Sequence, residues 1–299
     1  MVSRWTAALI LGVLLAGASG CKRGDVSGAG STEDSDNAAG SHAADDWTTV
    51  AIAGAVDEAT SALGLRVPSA SLKALADPAW RELRAAMVKT QICAEGIDDW
   101  RTPVRDERVL EAMRLVPRHE FVPGGTRRFS YYDSPLPIGY EQTISQPYIV
   151  ALMTELLKPK AEHRVLEVGT GSGYQAAVLA LLVKEVYTIE IVRPLAERAE
   201  ADLKRLGYEN VFVRAGDGYR GWPEKAPFDG IIVTAAPEKI PEPLLEQLKI
   251  GGRLAIPVGP PGNQELVVMH KTDRGVFRET VLAVRFVEMT GEIKKRGKP

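Results

Sequence analysis

The run Val165-Leu166-Glu167-Val168-Gly169-Thr170-Gly171-Ser172-Gly173 places a carboxylate two residues ahead of three alternating glycines. Glycines at this spacing let a backbone turn sharply and approach a ligand closely. The apolar segment behind them, Tyr174–Val183, reads as a helix whose free N–H groups face an anion or carboxylate. Two more acids close the next apolar runs: Glu190, and Asp217 within Gly216-Asp217-Gly218. An acid in the place of Glu190 suits two ribose hydroxyls, and Asp217 can accept from an adenine amine.

Two cofactors compete for this layout. The dinucleotide pattern G-x-G-x-x-G/A fails from Gly169, where the sixth residue is Tyr174, and is met only loosely from Gly171 by Ala176. A pyrophosphate would also be repelled by Glu167. S-adenosylmethionine fits better, because Glu167 can hold the methionine ammonium directly or through water. Three acids at three strand ends also match a cofactor carrying a sulfonium charge. No metal site is expected: the histidines at 42, 119, 163 and 270 are far apart, and two cysteines cannot make a four-thiolate zinc site. No Ser-His-Asp order is visible, and His119 reads as structural.

The elements that position these residues alternate. Apolar runs at Arg164–Val168, Glu185–Glu190, Val211–Ala215, Gly230–Thr234, Arg253–Val258, Glu265–His270 and Val281–Val287 read as strands. Between them lie helical patterns, clearest over Arg193–Leu206, with Pro194 in its first turn and Gly207 as its stop. This predicts an α/β, doubly wound, mostly parallel sheet. Lys271–Gly275 reads as a hairpin turn, so the last two strands form an antiparallel edge. Ahead of the sheet, residues 47–86 read as a helical extension in which Asp77-Pro78 starts a helix, and another helix is expected from Arg108.

The 299 residues hold 37 Lys plus Arg against 39 Asp plus Glu, a net charge of −2. That balance counts against nucleic-acid binding by bulk charge. Residues 1–20 have the layout of a signal peptide: Arg4, then an apolar stretch from Ala7 to Ala16 too short to span a bilayer. Ala18-Ser19-Gly20-Cys21 resembles a bacterial lipobox, with Cys21 as the lipidated residue. Residues 21–46 then read as a disordered tether of net charge −4 from Lys22 to Asp46. Lipidation of Cys21 would leave Cys93 the only thiol, with no internal disulfide. The expected location is the cell envelope, facing the periplasm, with membrane contact only through the lipid. An ordinary cleaved signal, or a cytoplasmic protein starting at Met87, is the alternative.

Several segments together carry a resemblance. Glu167–Tyr174 looks like motif I of the protein-L-isoaspartate (D-aspartate) O-methyltransferases. Ala112–Pro123 (AMRLVPRHEFVP) looks like their N-terminal signature, and Thr143-Ile144-Ser145-Gln146-Pro147 like their active-site loop. Asp229–Pro241, Gly251-Gly252 and Pro257-Val258-Gly259 resemble their fourth and fifth strand regions. Phe286–Thr290 resembles the last strand, with Glu288 where proline is common. The match covers residues 87–299. The resemblance implies a seven-stranded, Rossmann-like methyltransferase sheet and a protein-repair activity. That activity moves a methyl group from S-adenosylmethionine to the α-carboxylate of L-isoaspartyl residues in damaged proteins. It also implies roles by position: Ser145 in the active site; Thr143, Ile144, Glu167, Gly169, Gly171, Glu190, Gly216 and Asp217 around the cofactor; and Thr290 as a cofactor neighbour. A monomer without a nucleic-acid partner is expected. The alternatives are a methyltransferase with another acceptor, and a tethered binding module without catalysis.

Overall fold

The computed structural model describes residues 61–94 and 101–296, with side chains to Lys294. The expected signal peptide 1–20, Cys21, the tether 21–46 and the beginning of the helical extension all lie outside the described residues.

The extension enters as two helices, α1 (Leu72–Ala76) and α2 (Pro78–Met87). Asp77 caps α2 as its sequence predicts: its carboxylate accepts from the Ala79 N–H at 3.0 Å, and Pro78 takes the first turn, where no N–H is needed. The chain runs on from Met87 into a wider π turn, Val88–Ile92. The boundary expected between residues 86 and 87 therefore falls inside one continuous helical segment. Leu65, Leu75, Met87, Val88 and Ile92 are all buried in the same core as the sheet-covering helices. Polar ties reinforce this: the Ser71 hydroxyl donates to the Leu206 carbonyl at 2.8 Å, and Arg108 donates to the carbonyls of Leu63, Pro159 and Leu182. Cys93, also buried, is disulfide-bonded, which departs from the expected lone thiol.

α3 (Glu107–Leu115) starts at Asp106, whose carboxylate accepts from the Arg108 N–H at 2.9 Å. After 3-10 turns at Arg118–Phe121 and Gly124–Phe129 comes a small antiparallel hairpin, β1 (Leu136–Gly139) and β2 (Gln142–Ile144). The sequence reading contains no strand here, for a physical reason. The two turn residues, Tyr140 and Glu141, have φ of 53° and 57° although neither is glycine or asparagine, so the usual turn signature is missing. The hairpin leads directly into α4 (Pro147–Leu156).

From there the expected alternation is observed: β3 (Arg164–Val168), α5 (Tyr174–Leu182), β4 (Glu185–Glu190), α6 (Arg193–Arg205), β5 (Val211–Ala215), β6 (Phe228–Val233), α7 (Glu242–Gln247), β7 (Leu248–Val258), β8 (Gln264–Thr272), β9 (Gly275–Val284) and α8 (Glu292–Arg296). The seven strands β3–β9 lie in the order β5-β4-β3-β6-β7-β8-β9; β3 to β7 are parallel, and β8 and β9 antiparallel. All nine residues of α5 are buried, as suits a helix apolar on every side. The last strand starts at Gly275, earlier than expected. Its first half is exposed on the sheet edge and so carries no apolar run to mark it. The strand order reverses beside β3, which opens a crevice at the C-terminal ends of β3, β4 and β6. Among the described residues no helix is long and apolar enough to cross a membrane, and no cluster of side chains could hold a metal ion.

Candidate active site

One cavity sits over that crevice. Its walls are Gln142–Ser145 after β1, Glu167–Ser172 after β3, Tyr174 and Gln175 of α5, Ile189–Ile191 at the end of β4, Gly218, Thr234 and Ala235 after β6, and Val287–Thr290. It gathers the predicted Thr143, Ile144, Ser145, Glu167, Gly169, Gly171, Glu190 and Thr290 from segments far apart in sequence.

The glycine loop is shaped by steric need. Gly169 has φ of 101°, and a Cβ there would run into the Thr234 hydroxyl. That hydroxyl donates to the Gly169 carbonyl at 2.6 Å and so clamps β3 to the end of β6. Gly171, at φ 54°, donates its N–H to Glu190 Oε2 at 2.8 Å. Glu190 Oε1 accepts from the Val192 N–H at 2.9 Å. This carboxylate is thus fixed in orientation at the end of β4, with its remaining lone pairs available to a ligand.

Glu167 is different. It is fully buried, and its Oε2 accepts from the Thr188 hydroxyl at 2.7 Å, itself 2.6 Å from the Thr170 hydroxyl. Oε1 has no partner. Burial raises the carboxyl to about 8, with the Thr188 hydrogen bond opposing and Glu190 adding to the rise. A buried carboxylate oxygen without a partner is costly unless a donor completes it. A cationic ammonium is the complement in both charge and hydrogen bonding, so the residues present fit the methionine end of S-adenosylmethionine.

Gly216 and Asp217 lie just outside this wall; Gly218 is the member of that loop that reaches it. The Asp217 carboxylate accepts from the N–H groups of Tyr219 at 2.9 Å and of Glu292 at 2.6 Å, tying the loop after β5 to the start of α8.

Ser145 is half-buried at the cavity wall. It does not cap α4: Gln146 holds the cap position, no side chain caps it, and Pro147 opens the helix. Its hydroxyl makes no hydrogen bond with the described residues. His119 lies away from the cavity. It stacks on Trp80 with centroids 4.5 Å apart, and its Nδ1 is 2.7 Å from the Tyr131 hydroxyl. Burial, helped by Arg84, lowers its pKa to about 4, so it is a neutral structural group at pH 7.

Sequence reasoning did not single out the clamp by Thr234, the wall residues Tyr174 and Gln175, or Gly218. In the sequence, Thr234 is marked only as the last residue of the apolar run Gly230–Thr234 and as part of the Asp229–Pro241 resemblance. The use of its hydroxyl against Gly169 needs the parallel pairing of β3 with β6.

Residues 97–294 match the model of the family described as Protein-L-isoaspartate(D-aspartate) O-methyltransferase. The chain belongs to this family. Among relatives, it is 62% identical over 188 residues to Protein-L-isoaspartate O-methyltransferase 2 of Syntrophobacter fumaroxidans, covering 62% of this chain and 76% of the relative. It is 56% identical over 210 residues to the Protein-L-isoaspartate O-methyltransferase of Opitutus terrae, covering 70% and 87%. A solved protein-L-isoaspartate O-methyltransferase superposes with a TM-score of 0.59 at 33% identity, covering 64% of this chain and 63% of that one. A second structure, a putative protein-L-isoaspartate O-methyltransferase from Plasmodium falciparum in complex with S-adenosyl-L-homocysteine, gives 0.58 at 26% identity, covering 71% and 98%. As an isoaspartyl methyltransferase the chain is an enzyme that uses S-adenosylmethionine, and the unpartnered Glu167 Oε1 is the feature of its own site that agrees.

Proposed function

We propose that this isoaspartyl methyltransferase carries out its reaction in the cavity between Ser145 and Glu167, with Ser145 aligning the acceptor. When bound, S-adenosylmethionine supplies an electrophilic methyl group on a sulfonium. Glu167 holds the cofactor's ammonium, Glu190 its ribose, and Thr143 and Ile144 line its pocket; Gly216 and Asp217 shape the adenine end through the loop that Gly218 continues. The acceptor α-carboxylate is already ionised near neutral pH, its reference pKa being about 4. It needs no general base, and none lines the cavity beyond the engaged acids. The enzyme's task is alignment of carboxylate and methyl group. The Ser145 hydroxyl donates to one carboxylate oxygen and leaves the other to react. The observation that carries this reading is the shared wall: Ser145, whose hydroxyl has no hydrogen-bond partner among the described residues, and Glu167, whose buried Oε1 has none, line one cavity. The test is methyl transfer from labelled S-adenosylmethionine to matched isoaspartyl and aspartyl peptides by the full-length protein. Base-labile label on the isoaspartyl peptide alone supports it; equal labelling of both peptides, or label on RNA instead, overturns it.

The envelope location is part of the same proposal. Its support is the continuous order of apolar signal, lipobox and acidic tether in residues 1–46. In this reading the enzyme is a monomer held to the membrane through Cys21 and works on isoaspartyl-containing envelope proteins, with no nucleic-acid partner. A lipid thioether on Cys21 and an intramolecular disulfide to Cys93 would consume the same sulfur. Intact mass of the protein purified from its native membrane decides between them. A diacylglyceryl adduct on a chain beginning at Cys21 supports the anchor; an unlipidated chain two hydrogens lighter than its reduced form overturns it.

A further inference from the structure

Arg118 is fully buried, yet no carboxylate lies within hydrogen-bond distance of it among the described residues. Its Nε donates to the Ser130 carbonyl and one terminal nitrogen to the Ser145 carbonyl, both at 2.7 Å. Its guanidinium carbon lies 4.9 Å from the centre of the Tyr174 ring. The other terminal nitrogen is buried without a partner. Burial lowers its pKa to about 10, still well above neutral, so the group remains a cation. Placing an unpaired cation in a core is expensive, and a merely structural role would be filled at lower cost by an apolar side chain.

The three groups it touches are not equivalent. Ser145 carries the acceptor-side hydroxyl. Tyr174 is the first residue of α5 behind the glycine loop and lines the same cavity. Ser130 ends the 3-10 turn that precedes β1. A planar guanidinium has several fixed donors and a flat face that stacks on an aromatic ring, so it can bind two carbonyls and the ring at once; an ammonium cannot. The hydrogen bond to the Ser145 carbonyl fixes the plane of the Ser145–Gln146 peptide. On the next residue, the Gln146 side-chain Nε2 donates to the Asp133 carbonyl at 3.1 Å. Of these two contacts, the Arg118 one also reaches Tyr174 in the cavity wall.

The geometry points to Arg118 as a positioning residue for methyl transfer, orienting Ser145 against the wall formed by Tyr174. This rests on the reading of Ser145 as the group that aligns the acceptor. Arg118 touches neither acceptor nor cofactor; it acts through the peptide it holds.

The test compares Arg118→Lys, Arg118→Met and Ser145→Ala with wild type in the full-length protein. Turnover of an isoaspartyl peptide is divided by the number of S-adenosylhomocysteine sites measured by calorimetry, so unfolded molecules are not counted. Arg118→Lys keeps the charge but loses the fork and the stack. The expected result is a kcat per site lowered roughly 10–100-fold in both Arg118 variants, as for misalignment on the scale of an ångström. S-adenosylhomocysteine affinity stays close to wild type. Full kcat in Arg118→Lys beside a low kcat in Arg118→Met would mean that charge alone matters, and overturns the proposal. Wild-type kcat in both variants also overturns it. If Ser145→Ala itself keeps wild-type kcat, the Ser145 reading has failed and this proposal falls with it. A slow Ser145→Ala beside unaffected Arg118 variants defeats the Arg118 proposal alone.

Discussion

Trp80 lies flat on His119, with ring planes 9° apart. One ring comes from the helical extension and the other from the segment just before the active-site hairpin. The neutral imidazole also meets Tyr131, whose ring is 5.9 Å from Trp80. The extension is thus part of the enzyme's core. Trp80→Ala is expected to cost about 2–4 kcal/mol, near the low end for large aromatic truncations because Trp80 is only half-buried. A chain starting at Met87 would also lose Leu65, Leu75 and the Arg84 bonds to Leu75 and Arg114. Calorimetric melting of both variants checks this; a melting temperature equal to wild type in the shortened chain contradicts it.

Glu167 links cofactor binding to pH. Its folded carboxyl titrates near 8, above the 4.5 of a free side chain. Between these values the folded chain without cofactor holds one more proton than the unfolded chain, so its stability falls as pH rises from about 4.5 to about 8. A bound ammonium favours the ionised form, so cofactor binding below pH 8 releases a proton. S-adenosylhomocysteine affinity is expected to weaken as pH is lowered from 9 to 6, and its binding enthalpy to vary with buffer ionisation enthalpy. Glu167→Gln abolishes both dependences, flattens the stability profile and weakens binding. Equal buffer dependence in Glu167→Gln and wild type speaks against this role.

The clamp between Thr234 and Gly169 makes a paired prediction. Gly169→Ala is strained by its positive φ and collides with the Thr234 hydroxyl, so it should lose S-adenosylhomocysteine binding. Thr234→Ala removes the hydrogen bond, at a cost of about 1–2 kcal/mol. The double variant relieves the collision but not the backbone strain, and should bind better than Gly169→Ala alone. Strictly additive losses in the double-mutant cycle would count against a direct steric clash.

Ser145→Ala is expected to lower kcat by roughly 10–100-fold, the range for lost alignment, with cofactor affinity maintained. Because no proton has to be removed from the acceptor, the pH profile of kcat should show no new ionisation in the variant. A covalent methyl-enzyme or acyl-enzyme species at Ser145, detected by mass under turnover, would argue for a nucleophilic role instead.

Much of the fold can be read from local pattern. β3 and β4 have the bounds of their apolar runs, because strands buried on both faces declare themselves by continuous hydrophobicity; β5 also keeps its expected bounds, although as an edge strand it is only partly buried. The Asp77 cap, the Gly169–Gly173 loop and the run of α6 are likewise short-range chemistry. The β1–β2 hairpin and the exposed half of β9 carry no such pattern. The hairpin turns through Tyr140 and Glu141, and β9 is held by pairing with β8 along a solvent-facing edge.

The site divides the same way. Residue type and spacing in one stretch point to Glu167, Gly169, Gly171 and Glu190 as candidate cofactor groups, whereas Ser145 is marked only by the resemblance of its loop to the family's active-site loop. That Glu167 keeps one oxygen unpartnered, that Asp217 spends its carboxylate on two backbone N–H groups, and that Arg118 reaches Ser145 and Tyr174 together are decided by tertiary packing. Burial and hydrogen bonding depend on which distant segments meet, and neighbours along the chain carry no record of that.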